Sequence, residues 1–360
     1  MSRNSNNFQA YDADGHVFEN EREIYEFLPG MFRGHEELLR TNLFPAMDSW
    51  NRTALSITGR YKEGSTSDLY KKANYEITGR EWKQFLDMAD LAGTVLYPTA
   101  GLGFGRIKEV EWGIALAQAY NDWIHDRFMK ADPRIRAIAL LPVQDPQAAA
   151  DELRRCVTKL KMVGGLIIAG HRRKPLGDSL YDPIYKAAQE LDTVLSIHAG
   201  GPGNRFEMFE SAIEARCLGH PTSLMTEMTS MMFRGVFDRF PKVRFAFLEG
   251  GVAWALFLRE RMQEAYEQWK VQAPELKKSP DEHLSSGRIF FHAELDERII
   301  PYAAQVLGAG SLLYASDFPH VSPEKSLHEK DEFMEREDVS DQVKAKIMRE
   351  NALNLYKIQA

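Results

Sequence analysis

Five places in this chain put a carboxylate or an imidazole at the end of a short apolar run. Asp14 and His16 stand at the end of the first, within DADGHVFE at 12–19. His198 closes VLSIH, Glu249 follows VRFAFL, and His292 closes IFFH with Glu294 two residues on. Asp317 follows LLYAS, and His320 lies three residues later. On an extended strand residues two apart project from one face, so Asp14 and His16 point together. Each residue alone has an ordinary explanation. A histidine after an apolar strand is more often a satisfied core residue than a ligand, and a strand-end aspartate often caps the next helix. Five such ends together are poorly explained that way. Buried charges must be paired or metal-bound, and no Lys or Arg stands at these tips. A divalent cation is the simplest partner, and mixed carboxylate–imidazole sets suit Zn, Mn or Fe better than Ca or Mg.

The elements that must position these groups are eight apolar, β-branched runs. They are 10–17, 94–98, 135–143, 165–169, 194–198, 243–248, 289–292 and 312–316. Their near-continuous hydrophobicity predicts strands buried on both faces, as in a parallel sheet. Segments with helical period lie between them. Trp112, Ala115, Leu116, Ala119 and Trp123 make an apolar stripe over 109–128. Asp145-Pro146 and Asp182-Pro183 each read as an N-cap followed by an N1 proline. Eight alternations favour a (β/α)₈ TIM barrel over a doubly wound sheet, and in a barrel chemistry sits at the C-terminal strand ends.

Two stretches exceed a minimal barrel. Residues 18–80 predict a small helical cap over the mouth, because a structureless loop that long is improbable. Residues 201–240 predict an insertion after the fifth strand. Its Met225, Met228, Met231 and Met232 have helical spacing suited to core or subunit-interface packing. The chain is read as a single domain over 10–355.

The 360 residues carry 45 Lys+Arg against 52 Asp+Glu, a formal net charge of −7 that argues against nucleic-acid binding. No apolar run reaches the ~18 residues of a membrane helix. Two cysteines cannot build a disulfide framework, which fits a reducing, cytoplasmic setting.

Four ordered motifs, DADGHVFE at 12–19, YDPIYKAAQELDTVLSIHAGG at 181–201, FPKVRFAFLEGGVAW at 240–254 and LLYASDFPH at 312–320, give the chain its resemblance. It resembles the amidohydrolase-related family that includes aminocarboxymuconate-semialdehyde and γ-resorcylate decarboxylases. The resemblance implies a metal-dependent barrel with one divalent ion, Zn or Mn, held by Asp14, His16, His198 and Asp317, in a homodimer. Many relatives have His-x-His on the first strand; Asp14-x-His16 is nearer the Glu-x-His of the resorcylate decarboxylase type. Many also have a histidine at the end of the sixth strand, where this chain has Glu249. That glutamate could move protons, ligate the metal or orient a ligand. Glu19 reads as an orienting partner for a ligand histidine.

Catalysis is therefore expected from Asp317, Glu249 and His198, with a small aromatic or unsaturated carboxylic acid as substrate. Arg172, in the basic loop 171–174, is expected to bind its carboxylate. His292, His320 and Trp254 are expected to line its pocket, among the mouth aromatics Phe18, Trp50, Tyr97, Phe104, Phe206 and Phe318. Decarboxylation is the leading expectation; hydrolysis by metal-activated water is the alternative, and a non-catalytic binding barrel the third. GLGFG at 101–105 lacks the Lys-Ser/Thr of a phosphate loop and reads as a tight turn at the mouth.

Overall fold

Each of the eight apolar runs forms a strand. The computed structural model describes residues 8–34, 42–46, 77–170, 174–200, 208–210 and 212–359. The strands are β1 (Ala10–Val17), β2 (Leu91–Pro98), β3 (two segments, Ile135–Ala137 and Ala139–Leu140), β4 (Gly164–Ile168), β5 (Val194–His198), β6 (Arg244–Leu248), β7 (Ile289–His292) and β8 (Leu312–Leu313). Every pairing is parallel and joins sequence neighbours. The break in β3 is bridged by Ile138 N to Leu96 O (3.2 Å) and Val163 N to Ala137 O (3.1 Å). Ala13 N to Tyr314 O (3.0 Å) and His16 N to Phe318 O (2.7 Å) tie the last strand to the first. The sheet thus closes into the expected barrel, and strands β4 to β8 are buried along their whole length.

The intervening helices follow their predicted signals with one exception. Asp145 caps Pro146–Arg155, its carboxylate accepting from Gln147 N (2.9 Å) and Ala148 N (3.0 Å). Val110–Ile124 begins after Glu109 and buries Ala115, Leu116, Ala119 and Trp123 of the expected stripe, while Trp112, in its first turn, is half-buried. Asn121 on that helix turns its amide to the interrupted β3, donating to Leu140 O (3.0 Å) and accepting from Leu140 N (2.8 Å). The exception is Asp182. It is the first residue of helix Asp182–Leu191 rather than its cap, and it pairs with Arg239 at 2.7 Å. A long-range cation took the carboxylate that the Asp-Pro signal assigned to the backbone.

Of 18–80, the described part contains helix Glu21–Phe27 and buried Leu43 and Phe44. Pro45 lies so close to the loop after β2 that a Cβ at Gly103 would meet its carbonyl oxygen at 2.1 Å, which accounts for one glycine of GLGFG. After β5 comes the helix Ala212–Phe233; Met228, Met231 and Met232 are buried in the core. No helix among the described residues is long and apolar enough to cross a membrane.

Candidate metal centre

The tip of β1 is shaped by a bulge: Asp12 to Gly15 spans three residues where β2 advances only from Thr94 to Leu96. Asp12, fully buried, fixes this bulge to the segment that follows β8. It accepts from Ser316 N (2.8 Å), Ser316 Oγ (2.8 Å), Thr94 Oγ1 (2.7 Å) and Asp14 N (3.2 Å). Burial lifts its carboxyl to about 6, against the pull of those donors. The anchored loop then presents Asp14 and His16 side by side, with His16 Nε2 3.6 Å from Asp14 Oδ1.

His198 and Asp317 arrive from β5 and from beyond β8. His198 Nε2 is 3.4 Å from Asp14 Oδ2, and His16 Nε2 is 3.7 Å from Asp317 Oδ1. The rear nitrogens are committed elsewhere. His16 Nδ1 donates to Pro98 O (2.9 Å) and His198 Nδ1 to Ala199 O (2.7 Å). A carbonyl can only accept, so both rings carry their proton at Nδ1 and aim Nε2 at the cluster. Two overlapping ligand sets result, Asp14–His16–His198 and His16–Asp317–His320, each with its atoms within 4.8 Å of one another. Asp14 Oδ1 and His198 Nε2 are buried, and neither has a hydrogen-bond partner among the described residues. A carboxylate oxygen and an imidazole nitrogen that converge on one point, the nitrogen once it has lost its proton, fit a divalent cation. Asp317 and Glu249 both hold left-handed backbone, φ 49° and 56°, a region that non-glycine residues seldom adopt.

Electrostatics divides the imidazoles. Burial, reinforced by His320 and His198, drives His16 well below its ordinary value, so it is a neutral donor. Burial also opposes the charged form of His198, but Asp14 and Glu249 outweigh it and hold the ring at about 9. Burial raises Asp14. Burial would raise Asp317 too, but the rings of His320 and His16 prevail and hold it below the usual carboxylate range. A cation entering this site must displace the His198 proton. Metal affinity is therefore expected to rise with pH by about tenfold per unit until His198 is deprotonated near 9, and then to level off. Titration calorimetry in buffers of different ionisation enthalpy checks this; binding without proton release contradicts it.

The other expected site residues fall in three places. Glu249 stands behind the ligand cluster, its Oε2 3.5 Å from His198 Nδ1, and belongs to neither ligand set. His320 does not present a free ring edge to substrate. Its Nδ1 donates to Asp317 Oδ1 (2.8 Å), its Nε2 meets Thr99 Oγ1 (2.8 Å), and it lies 4.1 Å from the His16 ring. His292 is buried, and among the described residues its Nδ1 has no hydrogen-bond partner. Trp254 is a wall residue, packed on Phe291 (5.7 Å) and Phe247 (6.0 Å). Arg172, like Trp50 and Phe206, lies outside the described residues. Glu19 does not orient a ligand histidine directly. It accepts from the backbone N–H groups of Thr99, Ala100 and Gly101, at 3.1, 2.9 and 2.8 Å. His220, which the sequence reading missed, brings Nδ1 to 3.9 Å from Glu249 Oε1. It sits inside the Met-rich helix, and nothing in its local sequence marks it.

Comparison with known proteins decides the lineage. The amidohydrolase family model matches residues 11–358. This chain is an amidohydrolase family member. Among curated relatives, it is 26% identical over 273 residues to the γ-resorcylate decarboxylase of Rhodococcus jostii (strain RHA1), covering 70% of this chain and 79% of that one. It is 24% identical over 227 residues to the 2-amino-3-carboxymuconate-6-semialdehyde decarboxylase of Dictyostelium discoideum, covering 61% of each. A crystal structure of 5-carboxyvanillate decarboxylase from Novosphingobium aromaticivorans, with bound manganese and a nitrobenzoic acid, superposes with a TM-score of 0.75. That match spans 99% of both chains at 20% identity. Both families named from the sequence motifs are thus among the relatives of this amidohydrolase.

Proposed function

We propose that this amidohydrolase removes the carboxyl group of a small aromatic acid, using one divalent ion held by Asp14, His16, His198 and Asp317. The convergence of the unpartnered Asp14 Oδ1 and His198 Nε2 on the tips of β1 and β5 carries the reading. The decarboxylase names of the relatives supply the reaction class, and the manganese in the 5-carboxyvanillate decarboxylase supports Mn ahead of Zn.

A cation bound here supplies a Lewis acid for the substrate's oxygens. The chain's own residues do the rest. Asp317, held in its ionised form by His320 and His16, takes up one proton from solvent when the substrate carboxylate is bound. Its carboxyl then delivers that proton to the ring carbon bearing the carboxylate. The C–C bond breaks, its electron pair restores the ring, and CO₂ leaves. His292 is assigned to the substrate pocket, and Arg172 to the substrate's carboxylate. Glu249 orients His198 from behind. The barrel acts as one domain over 10–355, in a cytoplasmic homodimer.

The test is direct: protein reconstituted with Mn²⁺ or Zn²⁺ and supplied with hydroxylated benzoates should release CO₂ and the decarboxylated phenol. Ester or amide cleavage without CO₂ would give the site to metal-activated-water hydrolysis instead. Failure to bind either metal would overturn both.

A further inference from the structure

The tip of β2 contributes no ligand, yet it touches both ligand sets. Pro98 O accepts the Nδ1–H of His16 at 2.9 Å. The next residue, Thr99, places Oγ1 2.8 Å from His320 Nε2, and His320 Nδ1 donates to Asp317 Oδ1 at 2.8 Å. The threonine hydroxyl can donate to or accept from Nε2, so it holds the ring's second nitrogen while Nδ1–H is committed to the carboxylate. Two adjacent residues therefore set the rotation of two imidazoles and, through one of them, of a carboxylate on strained backbone.

What holds the dipeptide is Glu19. Its carboxylate accepts from the successive N–H groups of Thr99, Ala100 and Gly101. Such a row of donors is a backbone cradle for an anion. The fit leaves no room for a side chain at position 101, where a Cβ would lie 2.6 Å from Pro98 Cβ and 3.2 Å from Glu19 Oε1. Glu19 is itself in the loop that leaves β1, so the strand bearing Asp14 and His16 also clamps the tip that orients them.

We infer that Glu19 and Thr99 are positioning residues for the metal centre, Glu19 by clamping the Pro98-Thr99 backbone and Thr99 by fixing the His320–Asp317 pair. The inference rests on reading the cluster as a metal site, and its test separates the two. Cobalt(II) is the probe, because its visible absorption reports ligand geometry without any substrate. Thr99→Val removes the hydroxyl and keeps the shape. It is expected to shift the Co²⁺ spectrum and weaken retention against a chelator by about 10–100-fold, while Thr99→Ser restores both. Glu19→Gln, which keeps the volume and turns one of the two oxygens facing the three N–H groups into an N–H₂ donor, should move both readouts the same way. A role confined to stability would lower the melting temperature of all three variants and leave the spectrum of the folded protein unchanged. Wild-type spectrum and retention in Thr99→Val and Glu19→Gln would overturn the inference. Should Thr99→Val fail to fold, Glu19→Gln alone decides it on the same two readouts. If the unmodified protein takes up no Co²⁺, the metal site itself is wrong and the inference falls with it.

Discussion

His198→Ala is expected to yield a folded protein that carries no stoichiometric metal and has lost activity by about 10³-fold or more. The size follows from what the ring does. The Lewis acid is worth several kcal/mol of transition-state stabilisation, and each factor of ten in rate corresponds to about 1.4 kcal/mol. The fold should survive because, among the described residues, the side chain makes one hydrogen bond to the barrel, from Nδ1 to Ala199 O, beside its ion pairs with Asp14 and Glu249. Its Nε2 has no protein hydrogen-bond partner to lose. Removing the ring does leave Asp14 buried without its neighbouring cation, so the metal-free variant should melt lower. His198→Asn, which retains a polar group at the site, guards against a trivial loss of folding. Elemental analysis and circular dichroism on both variants check the result. One metal per chain together with the wild-type rate in both would place the centre elsewhere.

The barrel and the tips of its strands could be read from sequence because both write themselves into local patterns. A strand buried on both faces has to be apolar throughout, so β5 (VLSIH) and β6 (RFAFL) are conspicuous between amphipathic segments. A polar residue at the end of such a run stands out by contrast, which exposes His198, Glu249, His292 and Asp317. What could not be read depends on contacts between distant segments. The bulge at Asp12–Gly15 is a register shift against β2, invisible in either strand alone. Glu19 is three residues from His16, a spacing that suggests a direct partner, but its donors are the backbone of 99–101, some 80 positions away. His320 follows Asp317 by three and looked like a free pocket residue. Its second nitrogen is taken by Thr99, 221 residues distant. Asp182 went to Arg239 for the same reason. Backbone groups and long-range cations carry no signature at the position of the carboxylate they capture.

Asp317→Asn is expected to separate holding the metal from moving the proton. The amide keeps the volume and one oxygen able to ligate, so at saturating metal the variant should still be loaded. It cannot shuttle a proton as a carboxylate does, and kcat is expected to fall by about 10²–10⁴, the range attributed to a positioned acid–base group. KM should change far less, since the substrate is bound by other groups. The pH profile gives a sharper criterion. In the native protein Asp317 is held below the usual carboxylate range by His320 and His16. Its proton-accepting form is therefore present at and above neutral pH and is lost only as pH falls through that depressed value. The acid limb of kcat should accordingly lie low in the native enzyme and be absent in the variant. Glu249→Gln provides the contrast, because Glu249 belongs to neither ligand set and faces His198 Nδ1 at 3.5 Å. A residue acting at that remove should alter metal affinity and the His198 proton more than the chemical step. An Asp317→Asn variant with native kcat and an intact acid limb would transfer the proton role to Glu249, and the order of the two variants in kcat would then reverse.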